Sequence, residues 1–202
     1  MGTNSTSYYF SVASGNIGEF FDEMYLNTPW EQHYENLDGR TILDRLASVK
    51  YFVVKNNRYQ YVPYGYYWLE GSAEKNGKIY EAFGSEEALP LGYTYDSFIP
   101  GEEYEKMTVT EKQQALLQGI VLEDSSLPEI TPEFNDQEIP YEIRKGKGCS
   151  VKDGKIKVTK EGAKLELLFN GLENSETYLI AEGLDYDGLL RRIGSVKRNG
   201  IK

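Results

Sequence analysis

Cysteine and histidine are almost missing from this chain of 202 residues, which has one of each, Cys149 and His33. A zinc site takes three or four His, Cys or carboxylate ligands, which this pair cannot supply alone, and neither a metal nor a cofactor is expected. A reactive thiol needs surroundings that lower its pKa, whereas Cys149 lies in a turn-like Gly146-Lys-Gly-Cys-Ser150 stretch with no helix start beside it. The plain readings are a half-buried thiol and a surface imidazole. A single cysteine makes no internal disulfide, which fits a reducing compartment and a Gram-positive-like exterior equally well. Long apolar runs are missing too. The best are Tyr51 to Val54 and Leu165 to Phe169, the second interrupted by Glu166, against the roughly 18 residues that a membrane-crossing helix takes. Met1-Gly-Thr-Asn-Ser-Thr6 lacks the basic-then-apolar pattern of a signal peptide, so the start reads as an internal segment of a longer chain, with any export signal elsewhere.

What is present is enough apolar material for a core, 40% of residues, and an excess of acid: 32 Asp and Glu against 22 Lys and Arg, a formal charge of -10. Such a surface repels phosphates at long range, so nucleic acid is not an expected partner. The imbalance is local. Before Pro128 there are 9 basic and 19 acidic residues, and from there on 13 of each. The stretch from Glu123 to Asp136 carries two prolines and little periodicity, which predicts a boundary near residues 125 to 137. The expected organisation is a mixed α/β acidic subdomain over 1–127 and a β-rich, sandwich-like subdomain over 128–202.

In the first part, Asn16-Ile-Gly-Glu19 has the form of a capping box, followed by Phe20, Phe21 and Met24 at helical spacing. Thr41 to Ser48 places Ile42, Leu43, Leu46 and Ala47 on one helical face and leads into a β-branched and aromatic run, Val49 to Lys55, that reads as a buried strand. Tyr59 to Trp68, broken by Pro63 and Gly65, suits an irregular strand or a surface loop. Lys78 to Phe83 and Leu91 to Ile99 read as strands. Thr108-Val-Thr-Glu111 is a second capping box, opening a helix through Ala115 to Leu117 that stops at Gly119. In the second part, Ile139–Arg144, Lys155–Thr159, Ala163–Phe169, Thr177–Leu184 and Leu189–Lys197 are β-prone segments separated by turns such as Asp153-Gly154 and Asn170-Gly171, a spacing that favours an antiparallel sandwich. The Asn199-Gly200 turn signal predicts a further strand beyond Lys202. The fold class is therefore α+β, a mixed α/β half followed by an antiparallel β-sandwich-like half.

Three kinds of residue can carry function. Carboxylate pairs such as Glu86-Glu87 and Glu102-Glu103 invite a glycosidase reading, which needs two carboxyl groups roughly 5 to 10 Å apart across a sugar; solvated acidic loops are the alternative. Gly183-Leu-Asp-Tyr-Asp-Gly188 offers oxygen ligands at alternate positions but not a twelve-residue calcium loop. The strongest compositional signal is tyrosine, 17 residues, with Tyr8, Tyr9, Tyr59, Tyr61, Tyr64, Tyr66, Tyr67 and Trp68 in two dense groups. A tyrosine offers a flat apolar face and a hydroxyl, suited to sugar rings, headgroups or a partner protein, and equally to half-buried sheet filling. The basic stretch Arg144-Lys-Gly-Lys147, with Arg191-Arg192 and Lys197-Arg198, can face an anionic polymer or lipid phosphate, or simply be a solvated strand face. The candidate binding residues are Tyr8, Tyr9, Tyr64, Tyr66, Trp68, Leu89, Pro90 and Gly92, the last two also explicable by backbone geometry.

Taken in order, Ser7-Tyr-Tyr-Phe-Ser11, Asn16-Ile-Gly-Glu-Phe20, Leu43 with Ala47-Ser-Val-Lys-Tyr-Phe-Val-Val54, Ile79-Tyr-Glu81, Ala88-Leu-Pro-Leu-Gly-Tyr93 and Gln113-Gln-Ala-Leu-Leu117 resemble the extracytoplasmic region of YfhO-family bacterial membrane proteins. The resemblance covers residues 5 to 124, and 138 to 190 more loosely. It implies a multi-pass parent similar to the polyprenol-dependent membrane glycosyltransferases, implicated in decorating cell-surface polymers such as lipoteichoic acid with sugars on the outer face. Enzymes of that type carry the catalytic acid beside their first membrane helix, and this chain has no such helix, so no catalytic residue is expected here. The expected partners are the membrane-embedded remainder of the chain, a glycan or anionic surface polymer, and a polyprenyl-phosphate sugar. Two other readings remain open, a free-standing carbohydrate-binding or adhesion module and a glycosidase.

Overall fold

The computed structural model of the chain describes residues 6, 8–9, 14–26, 33–34 and 36–180. These residues form helices and mostly antiparallel sheets, an α+β fold, and divide into two units, the first reaching Asn135 and the second beginning at Asp136. Among the described residues no helix is long and apolar enough to cross a membrane.

In chain order the first unit runs β1 (Tyr8–Tyr9), α1 (Gly15–Glu23), β2 (His33–Tyr34), α2 (Thr41–Leu46), β3 (Tyr51–Lys55), a 3-10 turn (Tyr59–Tyr61), β4 (Tyr67–Lys75), β5 (Lys78–Gly84), β6 (Phe98–Pro100), α3 (Gly101–Glu105), α4 (Val109–Ala115) and β7 (Ile120–Leu122). Its core is built from the apolar stripes of short helices. Phe21, Met24, Leu43, Tyr104, Val109 and Ala115 are all buried, and Ile99 of β6 lies fully inside among them. Burying a side chain of that size contributes about 1.5–3 kcal/mol. Arg40 ties two of the helices together, because its guanidinium donates to the carbonyls of Met24 and Tyr25 just past the end of α1, where the helix leaves acceptors unpaired and carries partial negative charge.

Helix α4 starts as its sequence predicts. The Thr108 hydroxyl accepts from Glu111 N at 3.3 Å, and the Glu111 carboxylate accepts from Thr108 N at 2.7 Å. The first capping box does not form. Ser14 is the N-cap of α1, its carbonyl accepting from Ile17 N at 3.1 Å, and Asn16 lies inside the first turn. The hydrophobic spacing was enough to locate this helix, and its first turn closes on backbone groups alone.

Strands β3, β5 and β4 form one antiparallel sheet in that order. Asn76 and Gly77 join β4 to β5 with φ of 53° and 68°, the left-handed pair that a two-residue hairpin turn requires. The aromatic run from Tyr59 thus divides: a 3-10 turn, a loop, and then an edge strand opening at Tyr67 and interrupted by a register shift between Trp68 and Ser72. Leu91 to Ile99 is not one strand, since only Phe98–Pro100 pairs, in parallel with β7. The preceding segment is held by side chains instead, the Tyr95 hydroxyl donating to Leu116 O and the Ser97 hydroxyl to Gln118 O. Residues 128 to 130 run beside β6 in the same unit, Phe98 N donating to Pro128 O and Ile130 N to Phe98 O, both at 2.9 Å.

The second unit is two antiparallel ribbons. β8 (Tyr141–Lys145) pairs with β11 (Leu165–Phe169), and β9 (Cys149–Lys152) pairs with β10 (Lys155–Val158). Cys149 therefore opens a strand and does not sit in a turn. The turn lies earlier, where Gly148 takes φ of 86° and its carbonyl accepts Thr159 N at 2.8 Å. Asp153 and Gly154, at φ of 51° and 72°, make the β9–β10 hairpin. Residues 177–180 are not in a strand. The remainder of that segment, the segment 189–197, the 183–188 loop, the C-terminal basic pairs and the last turn signal lie outside the described residues.

Candidate functional site

Antiparallel partners point to the same side of a sheet, so the register of β3, β5 and β4 sorts their side chains by face. Phe52, Val54, Glu81, Phe83 and Trp68 share one face, and Tyr51, Val53, Lys55, Tyr80, Ala82, Gly84 and Tyr67 share the other. The first face is covered along β3, while Trp68 at its β4 side stays 52% exposed. Val54 is buried, Phe52 meets Tyr66 edge-on, and Tyr59 meets Phe83 edge-on while donating its hydroxyl to Glu81 at 2.6 Å.

The second face is open. Tyr51 and Val53 are each 60% exposed and Tyr67 49%. Leu69 lies over Gly84, where an added Cβ would stand 3.2 Å from its side chain. Lys50 Nζ sits 5.8 Å from the Tyr51 ring centroid, and Lys55 shares the face, so the aromatic surface has cations beside it within an acidic chain. Exposed aromatic rings with adjacent ammonium groups can stack on the C–H face of a sugar and pair with an acidic substituent. Of these residues only Tyr67 stands out in the sequence as part of a crowded aromatic run; Val49 to Lys55 reads there as a buried strand, whereas the edge position of β3 leaves Tyr51 and Val53 exposed. Tyr51-Phe-Val-Val54 is apolar throughout and carries no polar alternation, so its exposed side shows only once the pairing with β5 is known.

The candidate residues named from sequence do not gather at one cleft. Tyr8 and Tyr9 form β1, paired with Tyr34 and His33 of β2. Tyr64 is 48% exposed and its carbonyl accepts the Thr41 hydroxyl at 2.7 Å. The Tyr66 hydroxyl is taken up by Val49 O, and burial together with the charge of Asp44 pushes this phenol far above its ordinary pKa of 10. Trp68 is 52% exposed, on the face opposite to Tyr51 and Tyr67. Leu89, Pro90 and Gly92 belong to a loop fastened to the end of α2, where Leu89 N donates to Arg45 O at 3.2 Å and the Tyr93 hydroxyl to Leu46 O at 3.4 Å. Gly92 has no atom close to where a Cβ would stand and Pro90 is exposed, so packing explains neither. Tyr64, Tyr66 and the 89–93 loop are thus strung along α2 and the residues just after it.

One carboxylate of each pair is held by a cation. Glu87 pairs with Arg45 at 2.9 Å, and Glu103 with Lys106 at 2.7 Å in the first turn of α3. Among the described residues no three His, Cys, Asp or Glu side chains come together in a metal-binding group. Cys149 is half-buried and its Sγ donates to Lys164 O at 3.1 Å.

The described residues thus give an α+β chain with an aromatic sheet face open on one side. The comparisons give the family. The chain belongs to the YfhO family of bacterial membrane proteins, whose family model matches residues 1–188. It is similar to "Uncharacterized protein YfhO" of Bacillus subtilis (strain 168), at 26% identity over 128 residues, or 62% of this chain and 14% of that protein. The chain thus spans about one-seventh of the length of this relative. No solved structure matches.

Proposed function

We propose that these residues act as a non-catalytic extracytoplasmic domain of a membrane-embedded, glycosyltransferase-like protein that decorates cell-surface polymers such as teichoic or lipoteichoic acid with sugars. Its task is to hold the acceptor polymer or the lipid-linked sugar near the site of transfer. Holding two reactants in register supplies several kcal/mol towards reaction without any chemical group on the holder. The observation that carries this reading is the open face of the β3–β5–β4 sheet, where Tyr51, Val53 and Tyr67 stay exposed beside Lys50 and Lys55. Membership of a bacterial membrane protein family supports the membrane setting.

The test is made in the full-length parent protein. Replacing Tyr51 and Tyr67 together by alanine removes two exposed rings and no core side chain, so the protein should accumulate normally. Sugar incorporation into surface polymer is expected to fall several-fold. Unchanged incorporation in this variant and in a deletion of the whole segment would overturn the proposal.

A further inference from the structure

The second unit carries a concentration of positive charge that the overall balance hides. From Arg144 to Lys164 there are eight Lys or Arg and two Asp or Glu, in a chain whose net charge is -10. The fold turns part of this run into a cleft of about 280 Å³ lined by Arg144, Gly146, Lys147, Gly162, Lys164 and Glu166. Arg144 and Glu166 are register partners across β8 and β11 and so share a face.

Backbone geometry gives the cleft a defined shape. Gly146 N donates to Lys164 O at 2.9 Å, and a Cβ on Gly146 would stand 2.3 Å from that same oxygen, so only glycine lets the two chain segments approach this closely. The Cys149 thiol donates to the same carbonyl, and Thr159 closes onto Gly148 O through both its N–H and its hydroxyl. The turn carrying Lys147 is therefore pinned against the turn carrying Gly162 and Lys164. Among the described residues no carboxylate forms an ion pair with Lys147 or Lys164, and Arg144 is engaged only through Nε, 3.4 Å from Glu142.

We propose that this cleft is a binding site for the phosphate group of a phosphorylated polyol. Arg144 offers a planar fork and the two lysines offer ammonium donors, which suits the several acceptor oxygens of one phosphate. Glu166 is the single acceptor side chain in the wall, and it supplies a partner for a hydroxyl adjacent to the phosphate. Three cations and one carboxylate leave a surplus of about two positive charges, matched to a phosphate monoester or to neighbouring diesters. This site is separate from the tyrosine face and does not depend on its role. The phosphate can belong to a soluble polyol phosphate or to a lipid headgroup, and two probes separate these sources.

The experiment records amide NMR shifts of the whole chain during titration with sn-glycerol 3-phosphate and, in parallel, binding to phosphatidylglycerol vesicles. Saturable shifts are expected in residues 144–148 and 160–166, with affinity falling as salt rises because the cleft is open to solvent. Replacing Lys147 and Lys164 together by glutamine should weaken binding about tenfold, roughly 1.4 kcal/mol. Lys152→Gln with Lys155→Gln, at the tip of the neighbouring hairpin, should leave it unchanged. Glu166→Gln should reduce the preference for glycerol phosphate over inorganic phosphate. Binding in the soluble arm assigns a free or polymeric polyol phosphate, and binding in the vesicle arm alone assigns a headgroup. No saturable binding in either arm, or an equal loss in the hairpin-tip variant, would overturn the proposal.

Discussion

Tyrosine does two different things in this chain, and the hydroxyl shows which. Tyr66, Tyr95 and Tyr104 are drawn inward and protected from ionisation, whereas Tyr51, Tyr61 and Tyr67 stay exposed. Burial is the leading cause in all three, helped at Tyr95 by the hydrogen bond with Tyr93 and at Tyr104 by the charge of Glu23. Tyr95, whose hydroxyl donates to Leu116 O, is pushed up to about 12 from an ordinary value of 10. The fold holds this proton more tightly than the unfolded chain does, so the contribution is complete below pH 10 and is lost as pH rises through about 12. Urea unfolding measured across that window is expected to show stability falling with pH, with a shallower fall in Tyr95→Phe. An identical slope in the two proteins would refute the assignment. A second residue-scale expectation concerns Gln113, which is 1% exposed and whose Oε1 has no hydrogen-bond partner among the described residues, although its Nε2 donates to Val109 O at 3.1 Å. Gln113→Met removes an unsatisfied buried carbonyl as well as one hydrogen bond and should change stability by no more than about 1 kcal/mol in either direction. Denaturant midpoints would show it.

At the scale of elements, glycine positions decide what the ribbons can do. Gly146→Ala forces a methyl group against Lys164 O, so the end of the β8–β11 ladder must open, at a cost of about 1–3 kcal/mol. Hydrogen exchange is expected to accelerate in Tyr141–Lys145 and Leu165–Phe169, whereas Gly154→Ala, which meets no atom but must keep a φ of 72°, should act on the β9–β10 turn. Elements with a strong local signal were readable from sequence: the Thr108 capping box, the Asp153-Gly154 turn and the β-branched run of β3 all form. Elements set by distant partners were not. β7 exists because Ile120 and Val121 pair with β6, and Leu91 to Ser97 stays out of a strand because Tyr95 and Ser97 are bonded to the chain after α4. The candidate site divides in the same way. Aromatic crowding is plain in the sequence, but which tyrosines stay exposed depends on sheet register and on backbone carbonyls such as that of Val49, which no local pattern encodes.

The molecule as a whole is two contact networks with different chemistry. The first unit has a helix-built core around Met24, Leu43 and Ile99 and holds the acidic excess, whereas the second is made of paired strands bearing a basic run and, among the described residues, no fully buried large side chain. An apolar core of interlocked side chains unfolds cooperatively, and ribbons whose apolar residues are half exposed contribute little to that transition. Ile99 is the sharpest probe because it is fully buried and packs where β6, α3 and α4 converge. Ile99→Ala leaves a cavity there and should destabilise the first unit by about 2–5 kcal/mol. Residue-resolved hydrogen exchange is the suitable measurement, because it reads both units in one sample. Amides of α4, β6 and β7 are expected to lose protection by the full amount, while those of β8 and β11 keep theirs. If protection in β8 and β11 fell in step with that in α4, the chain would be one cooperative unit and the division at Asn135 would carry no energetic meaning.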